Sequence, residues 1–259
     1  MKLVLFFVLA ASAYGQLRDI PYLPTNKKHM LDVYVPEGRK KFPVIFFVHG
    51  GAWRMGDRSK YQELGEHFSR EGIGVVIPSY RLAPVYRHPA QIEDVAAAFA
   101  WTVRNIKSYG GDASRIYVVG HSAGGHLASL LALDEKYLKA VKLSRKNIAG
   151  VVSMSGVYSI SKLEWNFGTD DEERRDASPI AHVAKGAPPF LVMYSQWDIV
   201  SLGSQARQFH QALLDAGDRS ELVRLPKKNH NSEVWSILKD GDPGERAILG
   251  FIDQKMSRR

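Results

Sequence analysis

Gly120-His121-Ser122-Ala123-Gly124 constrains this chain more than any other stretch, because of what lies on either side of it. Ahead of it runs Arg115-Ile116-Tyr117-Val118-Val119, a short apolar run rich in β-branched residues. Behind it runs Gly125-His126-Leu127-Ala128-Ser129-Leu130-Leu131-Ala132-Leu133, with helical character. The pattern predicts a strand, an abrupt turn at Ser122 and a helix. Strand and helix can approach that closely only past small residues, which Gly120, Ala123 and Gly124 supply. The Ser122 hydroxyl then projects from a strained strand-to-helix turn, the arrangement called a nucleophile elbow.

A serine hydroxyl is a weak nucleophile at neutral pH, so an elbow requires a base, an acid to orient it and donors for an oxyanion. Val44-Ile45-Phe46-Phe47-Val48 reads as a buried strand and ends in His49-Gly50-Gly51-Ala52-Trp53. Glycines at that point free backbone N–H groups, and the expected donors are those of Gly51, Ala52 and Ala123. Acid and base should follow the serine, each at the end of a strand. Phe190-Leu191-Val192-Met193-Tyr194 leads through Ser195-Gln196-Trp197 into Asp198. Leu222-Val223-Arg224-Leu225 leads through Pro226-Lys227-Lys228-Asn229 into His230. The carboxyl ends of parallel strands share one edge of a sheet, so Ser122, Asp198 and His230 are expected to converge there.

Other residues fit less well. His210 lies within the amphipathic segment Gln205 to Leu214 of the helical stretch Leu202 to Ala216. His126 sits four residues beyond Ser122, on the helix above it, where packing or hydrogen bonding is the expected role. His182 precedes the Pro188-Pro189 strand and has no strand-end position, while Asp215 and Asp218 fall too late to serve as the acid. Metal chemistry has little support: there is no cysteine and no H-E-x-x-H, and the nine histidines are scattered. Gly120 to Gly125 lacks the Lys-Ser/Thr of a phosphate-binding loop. No metal and no cofactor are expected.

Taken together, His49 to Trp53, Tyr80-Arg81-Leu82-Ala83-Pro84, Gln91-Ile92-Glu93-Asp94, Gly120 to His126 and the Asp198/His230 pair resemble the carboxylesterases of the α/β-hydrolase class. The similarity is to hormone-sensitive-lipase-like and feruloyl-esterase-like bacterial esterases, and it runs from Leu31 to the C-terminus. It implies acyl hydrolysis of short-chain or aromatic esters through a Ser-His-Asp triad and an acyl-enzyme. Two departures bear on this. Ala52-Trp53 stands where lipase-like members carry a third glycine, as in arylformamidase and feruloyl or acetyl esterase branches, and no N-terminal helical cap has a counterpart. An arylformamidase-type amide hydrolase and a non-catalytic hydrolase-like binding protein remain alternatives. An intact triad argues against the second, and export argues against the first.

Met1-Lys2 followed by Leu3 to Ala10, with Ala13-Tyr14-Gly15 before Gln16, reads as a signal peptide over residues 1–15. Its apolar stretch is too short to span a bilayer. The mature protein is expected to be exported, periplasmic or extracellular, without stable membrane association. Residues 16–259 are long enough for a single domain, and without cysteine its stability rests on core packing. The formal net charge of +8 is spread over Lys27-Lys28, Arg39-Lys40-Lys41, Lys227-Lys228 and Arg258-Arg259, so nucleic-acid binding is not expected. The expected partner is a small-molecule or polysaccharide-linked ester; the sequence does not specify an oligomeric state.

The expected architecture is α/β: a mostly parallel sheet with helices on both faces. Gln91 to Lys107 places Ile92, Val95, Ala96, Phe99, Val103 and Ile106 on one helical face, and Tyr61 to Arg70 and Pro243 to Lys255 read as further helices. Leu31 to Val35 alternates and is expected to form an antiparallel edge strand. One excursion, residues 157–183, breaks the alternation near the Ser122 edge as a lid-like insertion. Its charge run Asp170 to Asp176 reads as a solvated helix turn. Trp53, Trp165, Phe167 and Trp197 are the candidates for contacting substrate.

Overall fold

The structure, a computed structural model, describes residues 15–161 and 165–253, the Trp165 side chain excepted. The signal-peptide stretch apart from Gly15, and the last two residues of the helix expected to reach Lys255, therefore lie outside the described residues. Eight strands form one sheet: β1 (Gly15–Pro21), β2 (Met30–Val35), β3 (Phe42–Val48), β4 (Gly74–Pro78), β5 (Gly111–His121), β6 (Gly150–Met154), β7 (Phe190–Trp197) and β8 (Ser220–Asn229). Their order is β1-β2-β4-β3-β5-β6-β7-β8. The pairings of β2 with β1 and β4 are antiparallel, and all pairings from β4 to β8 are parallel. The β2 strand is antiparallel as expected but is not the edge. β1 lies outside it; its polar Gln16, Arg18 and Asp19 give no strand pattern, and pairing with β2 alone makes it extended.

Helices α1 (Gln62–Arg70), α2 (Ala90–Asn105), α3 (Ala123–Leu133), α4 (Glu135–Ala140), α5 (Asp171–Asp176), α6 (Leu202–Asp215), α7 (His230–Ser236) and α8 (Pro243–Asp253) cover the sheet. Successive side chains of a strand point to opposite faces, so β3 contributes to two cores. Val44, Phe46 and Val48 pack with Ile92, Val95 and Phe99 of α2, Leu127 and Leu131 of α3, and Phe209 of α6. Ile45 and Phe47 pack on the other face with Leu64 and Phe68 of α1, Val234 of α7, and Ile248 and Phe251 of α8. The α2 stripe is core, as its spacing predicts; only Val103 is half-buried.

Within the insertion, α5 stands between two short 3-10 turns, Trp165–Phe167 and Pro179–His182. Asp170 caps α5 by accepting from the Glu173 N–H. Three acids occupy its first turn and two arginines its last, matching the helix dipole. The charge run is thus a mostly exposed helix, as its composition suggests.

Candidate active site

The β5–α3 turn has the strained geometry predicted for it. Ser122 has φ 56° and ψ −122°, a region that side-chain-bearing residues rarely adopt, which costs about 1 to 3 kcal/mol. Two hydrogen bonds hold it there: its N–H donates to Met154 O at 2.8 Å, and its carbonyl accepts from the His126 N–H at 3.0 Å. Close approach explains the flanking glycines. A Cβ on Gly124 would lie 2.0 Å from Val48 O, and one on Gly120 would lie 2.2 Å from Gly124 O.

His230 Nε2 lies 2.9 Å from Ser122 Oγ, and His230 Nδ1 lies 2.8 Å from Asp198 Oδ1. The three residues brought together here come from the carboxyl ends of β5, β7 and β8, the edge where parallel α/β sheets bind ligands. Asp198 is ringed by donors. Oδ1 also accepts from the Ile199 N–H at 2.8 Å, and Oδ2 accepts from Ser155 Oγ at 2.5 Å and the Ser195 N–H at 3.2 Å. Burial works to raise its pKa, but the hydrogen bonds from His230, Ser155 and Ile199 outweigh burial and hold the carboxyl below the usual range. His230 is the first residue of α7, not part of a loop. Asn229 caps that helix by accepting from the Asn231 and Ser232 N–H groups, which fixes where the imidazole starts. His121 adds a second constraint: its Nε2 lies 2.8 Å from the His230 carbonyl. Burial lowers the His121 pKa to about 4, so a neutral ring donates this bond.

Gly51, Ala52 and Trp53 have φ values of 121°, 51° and 59°, a run of left-handed backbone that turns successive N–H groups toward one side. Within the loop the Arg54 and Met55 N–H groups both donate to Gly51 O at 3.0 Å. Among the described residues no hydrogen bond engages the N–H of Gly51, Ala52 or Ala123. Gly51 is required here, since a Cβ would lie 2.1 Å from Met55 O. The neighbouring motifs brace this loop. Tyr80 donates to His49 O at 2.8 Å and stacks on the His49 ring, the Ala83 N–H donates to Trp53 O at 2.9 Å, and Arg81 clamps buried Asp94 of α2.

Both ring nitrogens of His126 are engaged away from Ser122, so it does not rival His230. Burial lowers its pKa to about 3, so it is neutral. Its Nδ1 accepts from Trp53 Nε1 at 3.1 Å, leaving Nε2–H to donate to Ala177 O at 2.8 Å. It therefore ties the Gly51–Trp53 loop to the insertion, a hydrogen-bonding role of the kind expected for it. His210 pairs with Ser220 at 2.8 Å, and His182 Nε2 lies 2.7 Å from Asp176 O.

Of the substrate-contact candidates, Trp197 is exposed, while Trp53 and Phe167 are 5% and 2% exposed and meet edge to face at 4.7 Å. Phe167 also lines a cavity of about 580 Å³ with His88, Lys136, Tyr137, Asn166 and Asp176. The Trp165 side chain lies outside the described residues. Among those described, two clusters have metal-ligand spacing: His67/Asp240/Glu245 and Asp134/Asp176/His182. His67 already bonds Glu245 at 2.7 Å, and the Lys136 ammonium sits between Asp134 and Asp176.

Three further residues at this edge escaped the sequence: Ser155, Ser195 and Glu233. Ser155 follows β6 directly, so a survey of polar residues at every strand end reaches it. Glu233 lies one turn after His230, a relation that becomes visible once Asn229 is recognised as a helix cap.

The parallel sheet, the strained serine turn and the three converging side chains are those of the α/β-hydrolase fold. The chain belongs to the BD-FAE family, whose model matches residues 31–213. It is 32% identical to Esterase LipQ of Mycobacterium tuberculosis over 95% of this chain and 64% of that protein. It is 37% identical to a probable isoprenylcysteine alpha-carbonyl methylesterase of Oryza sativa, over 78% of this chain and 54% of the relative. The chain thus spans about half to two thirds of the length of these curated relatives. Esterase B from Lactobacillus rhamnosis has the same fold at a TM-score of 0.80 and 22% identity, covering 96% of this chain and 91% of that one. A Thermogutta terrifontis esterase follows at 0.74 and 21%, covering 94% and 93%.

Proposed function

We propose that this chain is a serine carboxylesterase acting on short-chain acyl or aromatic esters. The observation that carries the reading is the continuous hydrogen-bonded line from Ser122 through His230 to Asp198. The esterase names of its relatives point the same way. In the first step Ser122 Oγ attacks the ester carbonyl as His230 Nε2 takes its proton. Ionised Asp198 holds Nδ1–H and stabilises the imidazolium, and the N–H groups of Gly51, Ala52 and Ala123 receive the oxyanion. His230 then protonates the departing alcohol. Water, deprotonated by the same imidazole, releases the acid.

The insertion over residues 157–183 mixes its aromatic residues with the dense charge run Asp170 to Asp176 and offers no extended apolar stretch, which favours small acyl groups over long ones. Each buried CH₂ contributes about 0.8 kcal/mol, and selection for long chains needs an extended apolar groove to collect that energy. We therefore expect kcat/KM to peak at acyl chains of about two to four carbons and to fall beyond about eight. A nitrophenyl ester series, with acetylated xylan, methyl ferulate and formyl-aniline, tests both chain length and class. A maximum at about twelve carbons, or activation at an oil–water interface, contradicts the reading.

The proposal extends to location. Residues 1–15 serve as an export signal, and cleavage after Gly15 leaves Gln16 and Leu17 still paired with Tyr34 and Val33 of β2. No helix among the described residues is long and apolar enough to cross a membrane. Intact mass or N-terminal sequencing of protein from the native cell should give a start at or near Gln16; a chain retaining Met1 refutes export.

A further inference from the structure

Glu233 is fully buried, yet it faces the same hydroxyl as the Asp198 carboxylate. Ser155 Oγ contacts Asp198 Oδ2 at 2.5 Å and Glu233 Oε2 more closely still. Ser195 Oγ lies 3.0 Å from Glu233 Oε2 and 3.1 Å from Asn229 O. Among the described residues Glu233 Oε1 has no hydrogen-bond partner. Counting protons decides what this cluster is. Ser155 has one hydroxyl hydrogen to share between two carboxyl groups. If both carboxyl groups were ionised, one of the two Ser155 contacts would hold no hydrogen and would oppose two sets of lone pairs in a buried site. One further proton, on Glu233, supplies it: Glu233 donates to Ser155 Oγ and Ser155 donates to Asp198, while the Ser195 hydrogen is left for the Asn229 carbonyl or Glu233 Oε2.

We propose that Glu233 is a positioning residue held as a neutral carboxylic acid, whose proton completes a one-way hydrogen-bond chain through Ser155 that keeps the Asp198 carboxylate aimed at His230. The backbone supports this function: Ser155 sits at φ 45°, in the left-handed region, with its N–H tied to Met193 O at 2.8 Å. The hydroxyl is thereby aimed between the two acids by a strained residue. Burial, reinforced by the Asp198 charge and only partly offset by contacts with Ser155 and Ser195, raises the Glu233 pKa to about 8. The titratable groups facing Glu233 are Asp198 from the end of β7 and Tyr158 from the segment after β6; His230 lies one turn earlier on α7. Burial raises the Tyr158 pKa, so it stays neutral across the working range.

This inference rests on the proposed Ser122–His230–Asp198 relay, and its tests separate the two. Glu233→Gln keeps the shape and a donor without ionising. It should retain kcat within about threefold of the unsubstituted protein at neutral pH and lack the decline in kcat expected of the unsubstituted protein above about pH 8. Glu233→Ala and Ser155→Ala remove the chain and should each lower kcat about tenfold, equivalent to about 1.4 kcal/mol, at similar KM. Independently of activity, infrared spectra of the unsubstituted protein should show a protonated-carboxyl C=O band at about pH 7 that converts to carboxylate by about pH 9.5. Absence of that band overturns the proposal even if no variant folds. So does Glu233→Gln as impaired as Glu233→Ala, or Glu233→Ala as active as the unsubstituted protein. If Ser122→Ala is inactive under these outcomes, the relay stands and only the role of Glu233 fails; if Ser122→Ala remains active, the relay itself fails.

Discussion

Ser122→Ala is expected to lower kcat by on the order of 10⁶ while leaving the fold intact, the scale of loss seen when a serine-hydrolase nucleophile is removed. The loss should be confined to chemistry, because the Ser122 side chain is not what holds its turn. The bonds from its N–H to Met154 O and from His126 N–H to its carbonyl are both backbone bonds, and alanine keeps them. Alanine at φ 56° meets the same strain as serine, so thermal unfolding should shift little. His230→Ala should match the kinetic loss, since residues that act as a unit do not lose activity additively. Steady-state kinetics with a soluble nitrophenyl ester, alongside circular dichroism, reads both quantities. His210→Ala provides the control: His210 bonds Ser220 at the start of β8, the opposite end of that strand from His230, and its loss should leave kcat nearly unchanged.

Asp198→Asn is expected to cost about 10⁴ in kcat, less than loss of the nucleophile because shape survives while the hydrogen bonding is wrong. Every group around Asp198 presents a hydrogen: His230 and the Ile199 N–H to Oδ1, Ser155 and the Ser195 N–H to Oδ2. An amide NH₂ placed on either side therefore opposes a backbone N–H. If it faces His230, the imidazole is driven to the tautomer with its proton on Nε2, where it can no longer accept from Ser122. The developing imidazolium also loses its compensating charge. Kinetics across pH with the variant checks this, and a loss under about tenfold would remove Asp198 from the relay.

The sequence made the relay legible because each member ends an apolar strand, and strand ends of a parallel sheet share an edge. Gly120, Gly124 and Gly51 were equally readable, since each stands where backbone comes too close for a Cβ. What stayed hidden depends on long-range contact. The polar edge strand β1 is extended only through β2, and α7 was masked by the short, polar sequence that follows Asn229. Glu233 and Ser155 look like ordinary surface residues until the fold buries both beside Asp198. Trp53 and Phe167, candidates for contacting substrate, are packed against one another and His126, a contact that joins residues far apart in sequence.

The central claim is that Ser122 carries the acyl group between the two steps. Rapid acid quenching of turnover with a slowly hydrolysed ester, followed by peptide mass mapping, tests it most directly. One acyl group per chain is expected on Ser122, accumulating fast and disappearing at the rate of turnover, with none on the Ser122→Ala protein. An adduct on a different residue, or full ester turnover by Ser122→Ala without any adduct, would contradict it.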